Sequence, residues 1–259
     1  MDTLPAEPGR AVARGGKSVF GAPLGILMLE TRFARIPGDI GHAGTWPFPV
    51  LYRVVRGANP ERVVLHRAAG LLPKFVEAAE ELVALGAGAI TTSCGFLSLF
   101  QRELAARVGV PVATSALLQI PLVQASLPPG RRVGVVTVSA ASLTPAHLEA
   151  VGAPPDTPLA GTENGVEFFR VLVRGEKEEL DVALAARDVL EAGRELVRRH
   201  PDVGAVVLEC TNMPPYAAML AEAVGLPVYD ITTLVRWLCA GLQPAAYAPP
   251  APQAALATG

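Results

Sequence analysis

A stretch of 27 residues occurs twice in the chain with the same spacing of its landmarks. Residues 88–114 align without a gap on residues 204–230, and nine of the 27 positions are identical. Chance would give about two identities in an alignment of this length. Cys94 falls on Cys210, and both copies carry a Val-Gly-x-Pro-Val segment near their end. The repeat predicts that the protein is built from two similar halves.

Each copy has the pattern of an α/β unit. An apolar strand leads into the cysteine, a helix follows, and Gly109 and Gly225 stand just past the two helices, before a proline that initiates a short strand. Strand-type runs alternate with amphipathic helical patterns elsewhere too, as in 24–30 and 75–86. This alternation predicts an α/β fold of two pseudo-symmetric, doubly wound parallel-sheet halves of flavodoxin-like type, with the active site in the cleft between them.

The halves are assigned from the limits of the repeat and the composition of the ends. We place the first half at residues 21–118 plus 229–243 and the second at residues 119–228. Residues 1–20 and the Pro/Ala-rich residues 244–259 show no periodicity, so we expect both to be loose ends.

Composition narrows the classes of partner. A formal net charge of −2 with 18% charged residues provides no basic surface for nucleic acid or for an anionic membrane. The sequence contains no run of about 18 apolar residues and no signal-peptide pattern. We therefore expect a cytoplasmic protein whose partner is a small molecule. The sequence does not fix the oligomeric state, and a homodimer or higher homo-oligomer stays open.

The three cysteines differ in what their positions predict. An odd count argues against a disulfide framework, so we expect free thiols. Cys239 lies in an amphipathic helical pattern without a counterpart in the other half, and packing is its expected role. No C-x-x-C or paired histidine spacing is present, so we expect no metal site. The remaining pair, Cys94 and Cys210, is the candidate for chemistry.

Cys94 and Cys210 each follow a predicted parallel strand, at the edge of the sheet where ligands of such folds bind. A lone buried cysteine is most often core, but two at equivalent positions of a repeat favour a functional pair. We expect the amides of the following helix to lower the pKa of each thiol. If the halves face each other, one thiol removes a proton from a carbon and the other returns one to its opposite face. The neighbours expected to bind a carboxylate or enolate oxygen are Thr92, Ser93, Gly95, Thr211 and Asn212.

Two segments, "TTSCGF" (91–96) and "LECTNM" (208–213), resemble the cofactor-independent aspartate/glutamate/hydantoin racemase superfamily, which also contains maleate isomerase and arylmalonate decarboxylase. The resemblance covers about residues 24 to 240, and the Cys210-Thr211 pair is its most specific element. It implies a reaction on a small-molecule carboxylate without cofactor or metal.

The resemblance also implies roles for particular residues. Cys94 and Cys210 would exchange the roles of base and acid according to the hand of the substrate. Thr137 and Ser139 end the first strand of the second half, where the superfamily tends to place a hydroxyl that binds a carboxylate.

The chain departs from the glutamate racemases at three places. The glutamate racemases have an Asp-Ser-Gly motif after the first strand, where this chain has "LETRFARIPGDIG". Gly95 and Phe96 follow the first cysteine where they have Asn-Thr, and Asn212 replaces a histidine. A cell-wall glutamate racemase is therefore not expected, and the presence of both cysteines argues against the decarboxylase. We expect Gly95 and Phe96 to be the positions that determine which substrate binds.

A Gly/Pro-rich loop, residues 35–49, follows the first strand and is expected to overhang the same site. The residues in and before this loop that we consider for substrate contact, with an ordinary solvated position as the alternative for each, are Arg32, Arg35, Asp39, His42 and Thr45.

The expected function is a cofactor-independent racemase or epimerase of an amino acid or related carboxylate. Two alternatives stay open. One is a maleate-type cis-trans isomerase that forms a covalent cysteine adduct. The other is a catalytically inactive relative that binds a ligand.

Overall fold

Two four-stranded parallel sheets form the protein in a computed structural model that describes residues 15–245 and 247. The first sheet consists of β1 (Leu24–Leu29), β2 (Val50–Val55), β3 (Ala89–Thr92) and β4 (Val112–Ala113). The second consists of β5 (Arg132–Thr137), β6 (Leu159–Gly161), β7 (Val203–Leu208) and β8 (Val228–Tyr229). The strand orders are β2-β1-β3-β4 and β6-β5-β7-β8, which are the same order in the two halves.

Helices cover both faces of the sheets. In the first half they are α1 (Pro60–Val64), α2 (Leu72–Leu85) and α3 (Gln101–Arg107). Those that follow are α4 (Ile120–Ser126), α5 (Pro145–Glu149), α6 (Phe168–Leu172), α7 (Val182–Arg199), α8 (Ala217–Val224) and α9 (Ile231–Leu242). Short 3-10 helices span Ala43–Thr45, Gly95–Phe100, Ala116–Gln119 and Pro214–Tyr216.

The predicted two-fold α/β fold is confirmed, and the repeat has a structural counterpart at each landmark. The segment with Cys94 runs through β3, a 3-10 helix, α3 and β4, and the segment with Cys210 runs through β7, a 3-10 helix, α8 and β8. Gly109 and Gly225 adopt left-handed φ angles of 70° and 67° just past the helices. A glycine is favoured there because it has no Cβ to clash in this conformation.

The core of each half lies between its sheet and its helices. All six residues of β1 are buried, as expected for a parallel strand covered on both faces. The longest helix, α7, turns its apolar side to the second sheet, and the Asp181 side chain caps it by accepting hydrogen bonds from the amides of Ala183 and Leu184. Such a cap satisfies amides that have no partner within the helix.

The last helix connects the two halves. α9 contacts β3 of the first sheet and β8 of the second. Cys239 is buried in α9, and all three cysteines are free, as the sequence predicts. Most of the expected loose ends, 1–20 and 244–259, lies outside the described residues. In the part of the chain that the structure describes, no helix combines the length and the apolar character needed to cross a bilayer.

Candidate active site at the interface of the two halves

The two repeated cysteines meet in one cavity. Cys94 comes two residues after the end of β3, and Cys210 comes two residues after the end of β7. Both side chains are buried, and both line a cavity whose walls come from the two halves. The topology explains this meeting, because the carboxyl ends of the strands in both sheets face the interface.

The cavity is narrow and mostly apolar. Its volume is about 20 Å³, which is room for roughly one water molecule. Two charged residues line it, Arg35 and Glu209, together with the polar residues Thr31, Ser93 and Asn212. The apolar lining residues are Leu29, Phe33, Pro60, Val64, Val138, Leu172 and Val173.

A wider surface groove leads to this cavity. The groove has a volume of about 660 Å³ and shares five lining residues with the inner cavity, namely Thr31, Phe33, Pro60, Leu172 and Val173. These shared residues therefore stand between the two thiols and the surface.

Backbone and hydroxyl contacts fix the first cysteine loop. The Thr92 hydroxyl donates to the carbonyl oxygen of Thr114, 2.7 Å away, and also contacts the Cys94 carbonyl at 3.0 Å. The Ser93 hydroxyl accepts a hydrogen bond from the amide of Leu29 at 2.8 Å. These bonds hold Cys94 over the end of the first sheet.

The second cysteine loop is bonded directly to the first. The Thr211 hydroxyl donates to the carbonyl oxygen of Ser93 over 2.7 Å, and the Thr211 carbonyl accepts from the amide of Ile40 at 3.2 Å. Thr211 therefore joins both halves and the loop after β1. Its hydroxyl donates its hydrogen bond to the protein main chain and not to the cavity.

The loop after β1 lies over the site, where the sequence predicts it. The Asn212 side chain donates to the Asp39 carboxylate, and Asp39 also pairs with Arg35 at 2.6 Å. Arg35 reaches the cavity and lies over the Phe33 ring. Thr45 instead donates to the main chain of Asp39, which closes the loop on itself.

Two other residues considered near this loop have local roles. The His42 ring accepts a hydrogen bond from the amide of Gly44. Arg32 forms an exposed ion pair with Glu178 at 2.7 Å.

The remaining predicted binding residues support the site from behind its lining. Thr137 donates to the Glu209 carboxylate at 2.7 Å, and the Ser139 hydroxyl is bonded to that of Ser142. Phe96 is buried and makes an edge contact with the His147 ring. Four of the ten residues expected at the site, Ser93, Cys94, Cys210 and Asn212, line the cavity itself.

Glu209 is a site residue that the sequence reasoning missed. It is fully buried beside Cys210, at the end of the apolar strand β7. Burial raises its pKa from the ordinary 4.5 to about 7, although Thr137 and nearby amides oppose this by hydrogen bonding. A single acidic residue closing the run "GAVVLEC" was the available signal, since acidic side chains are seldom buried without a reason.

The expected lowering of the thiol pKa values is wrong. Burial raises the pKa of Cys94 and that of Cys210 above their ordinary value, and the nearby Glu209 charge raises both further. A hydrogen bond from the amide of Phe96 lowers the Cys94 value only in part. Loss of hydration outweighs the favourable amides because the thiolate is the charged form.

Curated relatives are similar to this chain over most of its length. A dimethylsulfoniopropionate lyase from Durusdinium sp. clade D is 28% identical over 220 residues, which cover 81% of this chain and 71% of the relative. Dimethylsulfoniopropionate lyase 5 from Emiliania huxleyi (strain CCMP1516) is 31% identical over 228 residues, which cover 83% of this chain and 44% of the relative. The chain spans 59% of the length of two further lyases from that strain.

Solved structures share the fold. Allantoin racemase from Klebsiella pneumoniae superposes with a TM-score of 0.61 at 18% identity, covering 85% of this chain and 87% of that chain. A mutant arylmalonate decarboxylase gives a TM-score of 0.58 at 16% identity, covering 88% and 97%. The family model described as Asp/Glu/Hydantoin racemase matches residues 118–239, which include Cys210. Residues 118–239 are therefore similar to the Asp/Glu/hydantoin racemase family, and the solved structures show that the chain shares their two-sheet fold.

Proposed function

We propose that the protein is a lyase that cleaves dimethylsulfoniopropionate, or a close analogue, by removing a proton next to the carboxylate. One observation carries the proposal: a small, mostly apolar cavity reached from a surface groove is lined by two thiols and by one basic side chain among the described residues, Arg35. The similarity to lyases of this name over more than four fifths of the chain supports the choice of substrate.

The cavity wall suits a methylated sulfonium better than an ammonium group. An ammonium needs acceptors for three N–H bonds, whereas a dimethylsulfonium has no N–H to satisfy. The side-chain oxygens of Thr31, Ser93 and Asn212 already take part in hydrogen bonds within the protein, so the lining offers an ammonium group one unbonded side-chain oxygen, Oε1 of Glu209, and not three acceptors. Methyl groups on sulfur gain instead from the apolar walls that make up most of the lining.

Arg35 is placed to bind the substrate carboxylate. Its guanidinium uses one nitrogen for Asp39 and another for Thr31, and it retains N–H donors for an additional acceptor. The side chain is largely buried, so a charge-assisted bond there is stronger than on the surface. The carboxylate would then lie against the loop after β1. Because the cavity has room for about one water molecule, the residues between it and the wider groove have to move aside for the whole substrate to bind.

The reaction needs one base. A cysteine thiolate takes the proton from the carbon next to the carboxylate, the electron pair forms the carbon–carbon double bond, and the carbon–sulfur bond breaks. Dimethyl sulfide leaves as a neutral molecule, acrylate keeps the carboxylate, and the cysteine is left as a thiol. The thiol returns its proton to solvent before the next turnover.

The proton transfer takes place away from bulk water. Arg35 offsets the charge that develops on the carboxylate in the transition state, and a low local dielectric strengthens that interaction. Because the thiol pKa values are raised, the active thiolate forms more readily as the pH increases, and we expect the rate to rise toward alkaline pH.

A two-base racemase or epimerase of a carboxylate is the second candidate. The equivalent placement of Cys94 and Cys210 in one cavity favours it, because an elimination requires a single base and leaves the second thiol without a direct role. The apolar lining around the thiols argues for the lyase.

Product analysis separates the two candidates. The purified protein is incubated with dimethylsulfoniopropionate and the headspace is assayed for dimethyl sulfide. Cys94→Ala and Cys210→Ala are compared with Cys239→Ala, whose thiol is buried in α9 instead of the cavity. We expect the variant that lacks the base to lose about 10²- to 10⁴-fold in kcat, and Cys239→Ala to stay near the wild type.

The same proteins are then tested as racemases. Amino acids, hydantoins and hydroxy acids are incubated in D₂O and examined for deuterium at the carbon next to the carboxylate. Absence of dimethyl sulfide together with cysteine-dependent deuterium exchange in one of these compounds would reject the lyase in favour of the racemase.

A further inference from the structure

The Glu209 side chain lies where both thiols meet and has an unused oxygen. It lines the cavity with Cys94 and Cys210 and is completely buried. Its Oε2 accepts the hydrogen bond from Thr137, whereas its Oε1 has no hydrogen-bond partner among the described residues. A buried carboxylate oxygen without a partner is costly, which makes Oε1 a place where a ligand group is expected.

Glu209 also lacks a countercharge. Among the residues that the structure describes, none of the ion pairs includes Glu209, and the one basic residue that lines the cavity, Arg35, is paired with Asp39. A buried acid is normally balanced by a nearby cation. Here that balance is missing from the protein itself.

The first half leaves room for this carboxyl. A Cβ on Gly95 would lie 3.0 Å from the Glu209 carboxyl carbon and closer still to its Oε1 and main-chain oxygen. Gly95 therefore forms a recess for the side chain of the other half. The nearby amide of Phe96 favours the charged form of the carboxylate and so opposes part of the effect of burial on the Glu209 pKa.

We propose that Glu209 recognises a permanent cation on the substrate and so selects onium carboxylates over neutral carboxylates. The proposal rests on the proposed function, because it assigns the sulfonium group of that substrate to the Glu209 side of the cavity. Arg35 and Glu209 then bind the opposite charges of one zwitterion. Glu209 is a specificity-determining residue in this scheme, and the base remains a cysteine.

Cation binding and ionisation are coupled in this arrangement. The pKa of Glu209 is raised to about 7, so the empty site near pH 6 holds mostly the neutral acid. A cation favours the carboxylate and draws its proton off. The titratable groups near it are Cys94 and Cys210, whose pKa values are raised, and His147 behind Phe96, whose pKa is lowered to about 4. None of these three titrates between pH 6 and 8, which leaves that window to Glu209.

Calorimetry with a cation that lacks a carboxylate tests the proposal independently of turnover. Trimethylsulfonium is titrated into the wild type at pH 6, 7 and 8, and 3-(methylthio)propionate serves as the uncharged-sulfur control. A group with a pKa of about 7 is about 9% ionised at pH 6 and 91% at pH 8. We expect the affinity for trimethylsulfonium to rise about tenfold over this range and that for the thioether to lack this rise.

Variants of equal size complete the test. Glu209→Gln should lose both the tenfold pH effect and at least tenfold in affinity for trimethylsulfonium at pH 8. Glu163→Gln is the matched control, since Glu163 carries another oxygen without a partner but lies outside the cavity. Circular dichroism checks that each variant is folded, and Glu209→Asp should keep the pH effect with weaker binding if Glu209→Gln fails to fold.

The outcomes of this inference and of the lyase proposal can be told apart. No binding of trimethylsulfonium by the wild type, or equal binding by Glu209→Gln, would overturn the role of Glu209 even if dimethyl sulfide is released. Glu209-dependent binding without dimethyl sulfide release would support the cation site and reject the lyase.

Discussion

Replacing Gly95 by alanine tests how closely the two halves fit at the site. The new Cβ would meet the Glu209 carboxyl carbon at 3.0 Å and would come still nearer to the Glu209 main-chain oxygen. The main-chain oxygen belongs to the end of a buried strand and cannot move aside as a flexible side chain would. Overpacking of this kind costs about 1–3 kcal/mol in a well-packed core. We expect Gly95→Ala to lose stability within that range.

The same substitution should reduce activity beyond its effect on folding. Pushing the Glu209 carboxyl out of its recess displaces it relative to Cys94 and Cys210, which share the cavity. A displacement of about 1 Å in a catalytic arrangement can cost on the order of 100-fold in rate. Urea unfolding gives the stability, and initial rates well below the unfolding temperature give the activity.

A glycine without neighbours provides the control for Gly95. A Cβ on Gly241 would meet nothing within 4 Å, and this residue lies in the last turn of α9. Gly241→Ala should leave the activity unchanged and stabilise the protein by up to about 1 kcal/mol. If Gly95→Ala matches the wild type in both unfolding midpoint and rate, the close fit of Gly95 against Glu209 is refuted.

Three further predictions concern charged and titratable groups. Arg35→Gln should raise KM for the carboxylate substrate by about 10- to 100-fold in steady-state kinetics, because a hydrogen bond to a charged group contributes about 1.5–3 kcal/mol. Arg107→Gln is the control, since Arg107 is exposed and its replacement should leave KM unchanged. An unchanged KM in Arg35→Gln would contradict the prediction. Folding raises the pKa of Glu209, so the wild type loses stability as the pH rises from 4.5 to 7. Glu209→Gln should therefore be more stable than the wild type at pH 8 by on the order of 3 kcal/mol in urea unfolding. The same dependence of stability on pH in the two proteins would contradict this prediction. His147 has its pKa lowered to about 4, so stability is lost as pH falls from 6.5 toward 4, and His147→Gln should show a smaller loss over that interval by the same measurement.

The fold could be predicted from the sequence because the same strand-helix-strand pattern occurs in both copies of the repeat. The gapless alignment of 88–114 on 204–230 places β3 on β7 and β4 on β8 and brings both cysteines to strand ends. Periodicity also located α2 within a few residues. The short strand β6 and the helices α5 and α6 were not predicted, since segments of three to five residues have too little pattern to recognise.

Features that depend on both halves could not be derived from the residues near each cysteine. The pKa of each thiol is dominated by burial, which is set by the whole interface rather than by the local amides. The contact between Gly95 and Glu209 joins residues far apart in the chain. The role of Arg35 likewise depends on how the loop after β1 folds back, which Asp39 fixes through its bond to Asn212.

The hydrogen bond between Thr211 and Ser93 has a consequence for how a ligand reaches the cavity. It ties the two cysteine loops together beneath the cavity, so the halves cannot swing apart without breaking it. A ligand therefore enters from the side of the surface groove, where the amide of Ala34 donates a hydrogen bond to the Glu178 carbonyl oxygen and Arg32 forms an exposed ion pair with Glu178. Such an exposed pair contributes at most about 1 kcal/mol, so it opposes displacement of the segment around Ala34 only weakly. We expect this segment to move when a ligand enters the cavity, and a slow movement would limit the turnover of the proposed lyase.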